Sequence, residues 1–287
     1  MTIVAQAILN GIMTGMLIAI PALGLTAIFA VLRYVNFAIG AYATVGAFAA
    51  WYFNSGLGLG VFPSALVAFV AGGAVGLIAE QTALARLRPS GALAVAIASI
   101  AVNLILENVI RFIFGNDLQG FDLPIARDWR FAGLRFGPQQ LQTAAIAIAI
   151  MAAVFLFLRF TRFGKAMRAV ADNPDLGRLF GMDPARIAMI TVALGAGLAG
   201  VGGVLLGLDT AIDPMTGSRL LLSIFAAAVL GGLGSIPGAV LGAAMIGIGE
   251  ELAVLVLPAT YRSAVGFATI LLILSLRPAG ILGERNT

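Results

Sequence analysis

The chain has 287 residues, of which 61% are apolar and only 10% are charged, and its formal net charge is +4. Because soluble domains carry roughly 25% charged residues, this composition excludes a soluble globular protein and predicts an all-α polytopic membrane protein. The sequence holds no cysteine and no histidine, so disulfides, thiolate chemistry and histidine-based metal or proton-relay sites are excluded. We expect the excess of Lys and Arg to anchor loops at the membrane lipid rather than to bind nucleic acid.

Nine segments with few or no charged residues are candidate membrane spans, which predicts about eight to ten transmembrane helices in one domain covering residues 1–287. The segments are residues 5–31, 37–53, 61–83, 93–114, 140–158, 187–208, 220–232, 238–257 and 264–276. Residues 3–32 exceed the ~20 residues that cross hydrocarbon, so Pro21 and Gly24 are expected to mark a bend or a break. Residues 220–232 fall short of that length and are expected to form a half-helix or a re-entrant segment.

The distribution of Lys and Arg predicts an outside N-terminus and a cytoplasmic C-terminus. With residues 159–186 in the cytosol, that side holds eleven basic residues and the opposite side five. Besides the six in 159–186, the cytoplasmic set is Arg33, Arg86, Arg88, Arg277 and Arg285, and the opposite set is Arg127, Arg130, Arg135, Arg219 and Arg262. No Lys or Arg precedes Arg33, so we expect no cleavable signal at the start.

The entry of the second span combines aromatic side chains with an amide and a glycine. These residues are Tyr34, Asn36, Phe37, Gly40 and Tyr42. The pattern is typical of an interfacial aromatic belt with Asn36 as a helix N-cap. A contact with a transported substrate is the alternative.

Polar residues within the spans have two possible explanations. Asn103, Glu107 and Arg111 are spaced four apart and share one helix face. They form either an internal Glu107–Arg111 ion pair or a hydrophilic strip on a translocation path. Glu80 and Gln81 lie near the cytoplasmic end of their span, where we expect their side chains to snorkel to the membrane surface.

Residues 159–186 are an island of charge between long uncharged stretches. Residues 164–170 are predicted to be a short helix that carries Lys165 and Arg168, and a second helix is predicted over 175–180, ending at Gly181. Asn173 and Pro174 separate the two helices. Asp172, Asn173 and Asp175 are placed to cap and favourably charge the second helix, which presents Leu176, Leu179 and Phe180 on one side. This pattern predicts helix-in-groove docking on a cytoplasmic partner, and a helix lying in lipid headgroups is the alternative.

Small residues and buried carboxylates cluster towards the C-terminus. Gly231, Gly232, Gly234 and Ser235 open a glycine-rich stretch that extends to residue 242. Close helix packing explains such glycines, and a pathway or hinge role is the alternative. Glu250 and Glu251 lie within the 238–257 span, and buried carboxylates of this kind leave a proton-coupled carrier open.

Four stretches carry a resemblance to a known family. They are residues 25–38 (LTAIFAVLRYVNFA), 163–174 (FGKAMRAVADNP) followed by Gly181, 226–238 (AAAVLGGLGSIPG) and 276–283 (LRPAGILG). Together they resemble the branched-chain amino acid permeases of ABC importers, in order and over nearly the whole chain, and the length is similar to that of the shorter of the two paired permeases. The family often carries a His and an acidic residue after the Asn-Phe-Ala triplet, where this chain has Ile39 and Ala41. That departure leaves the identity of the solute open.

The resemblance implies a subunit that works with several partners. These would be a second homologous permease, two cytoplasmic ATP-binding subunits and a periplasmic substrate-binding protein, in a bacterial or archaeal plasma membrane. Residues 163–181 would then be the ATPase-coupling element. No Gly-x-x-x-x-Gly-Lys-Ser/Thr motif occurs in the chain, so we expect no ATPase site and no cofactor on this subunit.

The sequence therefore predicts a permease subunit of an ATP-driven importer for branched-chain or related amino acids, working by alternating access. The proposed path is lined by the 231–242 stretch, the Asn36–Phe37 region, the Asn103–Glu107 face and Glu250. The alternative is a proton- or ion-coupled secondary carrier that uses Glu107, Glu250 or Glu251, and a passive channel is a third possibility.

Overall fold

The computed structural model describes residues 2–122, 129–131, 134–258, 261–277 and 280–283, and it is helical over most of that length. The helices in chain order are α1 (Thr2–Leu32), α2 (Ile39–Leu57), α3 (Val61–Ala79), α4 (Ala85–Leu87), α5 (Ala92–Phe114), α6 (Pro138–Phe160), α7 (Arg162–Asp172), α8 (Pro174–Leu179), α9 (Pro184–Asp209), α10 (Thr216–Gly231), α11 (Ile236–Val254) and α12 (Arg262–Leu276). A π-helical turn, Glu80–Leu84, joins α3 to α4, and a 3₁₀ turn, Arg88–Ser90, precedes α5. A two-stranded antiparallel hairpin, β1 (Trp129–Phe131) and β2 (Leu134–Phe136), lies before α6.

Each of the nine predicted spans coincides with a helix, so the prediction of an all-α polytopic fold is confirmed. Within the described residues, six helical segments are long and apolar enough to cross a membrane: Thr2–Leu32, Val61–Ser90, Ala92–Phe114, Pro138–Phe160, Pro184–Asp209 and Ile236–Val254. The helix α2 has 19 residues, but its C-terminal half contains Trp51, Tyr52 and Asn54, which lower its mean hydropathy. The helix α10 has 16 residues, which is about 24 Å at 1.5 Å per residue.

Of the bend or break predicted in α1, the break is wrong, because the helix runs without interruption through Pro21. The ring of Pro21 packs where a Cβ on Gly202 would lie, and a Cβ on Gly24 would overlap the carbonyl oxygen of Gly195. Both residues therefore serve close contact between α1 and α9. Neighbouring helices make a proline tolerable inside a membrane helix.

Backbone-to-backbone contacts between helices form the core. The helices α1 and α9 are its centre, with 72% of the most apolar part of each buried inside the chain. A side chain would not fit at several glycines, and the touching pairs are Gly15 with Ala243, Gly46 with Gly200, Gly72 with Ala196, Gly40 with Gly217 and Gly231 with Gly238. Small residues thus allow the close helix packing that the sequence indicates.

The connections divide between two ends of the bundle. At one end Gln6 exchanges hydrogen bonds with the backbone of Arg135, and the Gln119 backbone pairs with that of Ile212. The opposite end carries α7, α8 and the C-terminal segment, where the Ile281 N–H donates to the Leu230 carbonyl at 2.9 Å. Of the residues named from the sequence, Arg127, Pro278, Ala279 and Arg285 lie outside the described residues.

Candidate coupling surface and polar strip

The charged segment is built as two helices attached firmly to the bundle. The helix α7 is longer than the predicted 164–170, because Thr161 caps it by accepting the Gly164 N–H at 3.1 Å. A Cβ on Gly164 would overlap the Leu158 carbonyl oxygen, so glycine is needed for α7 to pack on the end of α6. Arg168 donates to that same carbonyl at 2.5 Å. These contacts fix α7 against α6.

Local capping also defines α8. The Asn173 side chain accepts the N–H groups of Asp175 and Leu176, each at 3.0 Å, as predicted for a helix N-cap. Asp175 lies in the first turn, where it favours the helix dipole. Gly181 has φ +77°, the left-handed conformation that ends a helix. The helix therefore spans Pro174–Leu179, one residue earlier at each end than predicted.

The outer side of α8 is apolar and exposed. Leu176, Leu179 and Phe180 are 49%, 85% and 77% exposed, although their neighbours in the segment are mostly polar. Lys165 and Asp172 are also exposed on α7. The opposite side of α8 is closed, because Gly177 is buried against Val170. The segment thus presents a ridge of three large apolar side chains, which we call the α8 ridge.

A continuous polar strip runs along one face of α5. Ser99 accepts the Phe37 N–H at 2.9 Å, and Asn103 accepts the Ala41 N–H at 2.9 Å. Ser99 lies four residues before Asn103, so the spacing that identified the strip could have found it. Asn36 is not the N-cap of α2, because that helix begins at Ile39 and the Asn36 side chain accepts the Ala38 N–H in a preceding turn.

The strip continues to Glu107, whose ion pair with Arg111 is confirmed at 3.1 Å. The second Glu107 oxygen accepts a hydrogen bond from Ser218 of α10 at 2.7 Å. Ser218 also accepts from the Asn103 amide at 3.1 Å. Sequence reasoning missed Ser218, because these contacts join residues more than 100 positions apart. Asn103 and Glu107 therefore connect α5 to the start of α2 and to α10.

Glu80 does not snorkel as predicted. Its side chain is only 1% exposed, forms an ion pair with Arg88 and accepts the Tyr34 hydroxyl at 2.7 Å. The π-helical turn that begins at Glu80 places both Glu80 and Leu84 on the buried side. Burial and the neighbouring Glu80 carboxylate raise the pKa of Tyr34 well above its usual range, so its hydroxyl stays protonated and donates.

The 231–238 stretch is a tight helix-to-helix turn. A Cβ on Gly231 would overlap the Gly238 carbonyl, while Gly232 and Gly234 adopt positive φ angles of +104° and +95°. Ser235 caps α11 by accepting the Gly238 N–H at 3.3 Å. These glycines thus have a structural use in packing α10 on α11.

The two carboxylates of α11 named from the sequence also have partners. Ser223 donates to Glu250 at 2.5 Å, and Glu251 forms an ion pair with Arg262. In the part of the chain that the structure describes, no group of three or more Cys, His, Asp or Glu residues is placed to hold a metal ion.

The apolar helical bundle, with its buried polar strip and anchored charged segment, is that of a polytopic membrane protein. A family model described as the permease component of branched-chain amino acid transport systems matches residues 7–276. The chain belongs to this permease family. It is therefore a multi-pass membrane protein and a permease subunit of a multi-subunit transporter.

Curated relatives extend over almost the full length. LivH of Escherichia coli K12, a high-affinity branched-chain amino acid transport system permease protein, is 31% identical over 97% of this chain and 95% of its own. BraD of Pseudomonas aeruginosa, of the same description, is 31% identical with the same coverage. LivH of Methanocaldococcus jannaschii is 33% identical over 88% of this chain and 80% of its own.

A solved structure is similar in fold. It is PsaBC from Streptococcus pneumoniae in complex with Fab, with a TM-score of 0.50 and 14% sequence identity. The match covers 94% of this chain and 91% of that chain. At this identity the likeness concerns the fold alone.

Proposed function

We propose that this chain is the transmembrane permease of an ATP-driven importer for branched-chain amino acids or related small solutes. Its partners in this proposal are a second homologous permease, two cytoplasmic ATP-binding subunits and a periplasmic substrate-binding protein. ATP is hydrolysed on the partners, and this chain carries no cofactor. The main structural support for this proposal is the exposure of the three apolar side chains of the α8 ridge.

The α8 ridge is suited to docking in a protein groove. A short helix with three exposed apolar side chains gains stability only by burying them. Gly164 and Arg168 hold α7 against the end of α6, so the ridge has a fixed position relative to α6. A displacement of the ridge by an ATP-binding subunit would then be passed on to the membrane helices. The 159–186 segment that carries the ridge holds six basic residues. By the positive-inside rule, this favours a cytosolic ridge, an outside N-terminus and a cytoplasmic C-terminus.

The translocation path in this proposal follows the polar strip. Asn36, Phe37, Asn103 and Glu107 lie along or beside it, and Glu250 with Ser223 adds a second polar contact on α10. The 231–235 turn, which contains Gly231, Gly232, Gly234 and Ser235, lies at the end of α10 that faces the cytosol in the proposed orientation. Hydrogen-bonding groups at these positions offer a polar solute a route between apolar helices.

A secondary carrier is less well supported. The carboxylates it would need are Glu107, Glu250 and Glu251, and each already has a hydrogen-bond or ion-pair partner. The relatives are described as components of transport systems, which favours an importer of several subunits.

The proposal is tested with the assembled transporter in proteoliposomes. We expect Leu179→Asp to weaken association of the ATP-binding subunits by about 30-fold, corresponding to the ~2 kcal/mol of an apolar anchor, and to abolish ATP-driven leucine uptake. Arg86→Asp is the control, because it also places an aspartate on an exposed helix, α4, with an even larger change of charge. Normal assembly and uptake by Leu179→Asp would contradict the proposal, as would leucine uptake by the purified chain in a pH gradient without ATP.

A further inference from the structure

The end of α1 has an unusual backbone conformation. Arg33 has φ +55°, and it is the only residue other than glycine with a positive φ in the described ranges. Its N–H still donates to the Phe29 carbonyl at 2.9 Å, so it closes the last turn of α1. A non-glycine residue in this region is uncommon and carries a steric cost. Since glycine would end the helix without that cost, the side chain at this position requires an explanation.

The Arg33 side chain contacts the charged segment. Its guanidinium donates to the Ala171 carbonyl at 2.8 Å, across 138 positions of sequence. Ala171 lies in the last turn of α7, two residues before the Asn173 cap of α8. A cation is favourable at a helix C-terminus, where carbonyl groups lack helical partners. Arg33 therefore joins the end of α1 to the base of the α8 ridge.

The residues after Arg33 are fixed to other helices. Tyr34 is 3% exposed and donates to the buried Glu80 carboxylate at the end of α3. Three residues later, the Phe37 N–H donates to Ser99 of α5. The 33–37 linker, defined as residues 33–37, thus contacts α7, α3 and α5 in succession before α2 begins at Ile39. A short chain held at three points transmits displacement of one point to the others.

We propose that Arg33 is a positioning residue that couples movement of α7 and α8 to the polar strip through the 33–37 linker. The proposal rests on the proposed function, because it takes the α8 ridge as the surface that an ATP-binding subunit moves. Displacement of α7 pulls the Arg33 guanidinium, and Tyr34 and Phe37 carry that displacement to α3 and to Ser99. Ser99 belongs to the same face of α5 as Asn103 and Glu107. Arg33 acts through these neighbours and needs no contact with the solute.

Arg33→Gly tests the side chain separately from the backbone conformation. It removes the guanidinium, while glycine adopts the same positive φ at no steric cost. We expect the assembled transporter with this variant to retain thermal stability, bound ATP-binding subunits and ATP hydrolysis. The amount of leucine transported per ATP hydrolysed should fall about tenfold, the factor that corresponds to one hydrogen bond from a charged donor. Arg33→Lys keeps a cationic donor and should recover most of the ratio. Arg86→Gln removes a basic residue from the same side and should leave the ratio unchanged.

The outcomes separate this inference from the proposed function. An unchanged amount of leucine transported per ATP hydrolysed, in an assembled Arg33→Gly transporter, would overturn the role of Arg33. Normal association of the ATP-binding subunits with Leu179→Asp would instead overturn the proposed function.

A cross-linking measurement covers the case in which Arg33→Gly does not assemble. Because the natural chain has no cysteine, Arg33→Cys together with Ala171→Cys can be joined selectively by a short bifunctional thiol reagent. In this double variant we expect the amount of leucine transported per ATP hydrolysed to be low before cross-linking and to rise after it. A completed cross-link that leaves the ratio low would overturn the inference.

Discussion

The Ser218 hydroxyl donates to the Glu107 carboxylate at 2.7 Å and accepts from the Asn103 amide at 3.1 Å. One side chain of α10 thereby satisfies two polar residues of α5. Because a buried polar group is costly without a partner, this hydroxyl fixes the two helices relative to each other along the strip.

Ser218→Ala should destabilise the strip without affecting the cytoplasmic face. Loss of the hydroxyl leaves Glu107 and Asn103 each short of a partner, which costs about 1–3 kcal/mol. We expect a lower temperature of unfolding in detergent and slower leucine uptake, with the ATP-binding subunits still bound. Ser275→Ala is the control, since that exposed hydroxyl donates to the Leu271 carbonyl of its own helix. Equal effects of the two changes would contradict the assignment.

Glu80→Ala should destabilise the junction of α1, α3 and α5. The change leaves the buried Tyr34 hydroxyl without its acceptor and Arg88 without its ion pair, at a cost of about 2 kcal/mol. Glu80→Gln keeps an acceptor for the Tyr34 hydroxyl and should lose less stability than Glu80→Ala. Thermal unfolding of the purified chain measures both. If Glu80→Ala were as stable as the natural protein, the carboxylate could not be buried as described.

Gly164→Ala should displace α7 from α6, because the added Cβ overlaps the Leu158 carbonyl. We expect weaker association of the ATP-binding subunits and easier proteolysis between α6 and α9. Gly56→Ala is the matched control, since a Cβ there has no heavy atom of the described chain within 4 Å. Normal association with Gly164→Ala would show that the position of α7 does not matter for docking.

Asn173→Ala removes the cap of α8 and should cost about 1 kcal/mol of helix stability. The three side chains of the α8 ridge would then be held less firmly, and association of the ATP-binding subunits should weaken accordingly. Asn173→Asp retains a capping oxygen and should bind nearly as well as the natural chain. Titration of detergent-solubilised permease with the ATP-binding subunits measures this difference. A stronger defect in Asn173→Asp than in Asn173→Ala would rule out the capping role.

Features governed by neighbouring residues were predictable from the sequence. The helix α8, its Asn173 cap and the left-handed Gly181 follow from local rules, and the Glu107–Arg111 pair follows from helical spacing. Features that depend on distant residues were not. The interior position of Glu80 requires Tyr34, which lies 46 residues earlier. It also requires a π-helical turn, which changes which side of the helix faces the bundle. Pro21 failed as a break because packing against α9 outweighs its local preference.

The glycine contacts of α1 restrict how the protein can change shape. Gly15 touches Ala243 of α11 and Gly24 touches Gly195 of α9, main chain against main chain. These contacts involve no side chains that could change rotamer. Sliding of one helix along the other would therefore bring main-chain atoms into steric overlap. These three helices must therefore travel together as a single solid piece. Opening towards either side of the membrane must then arise where helices meet through side chains rather than through main chain.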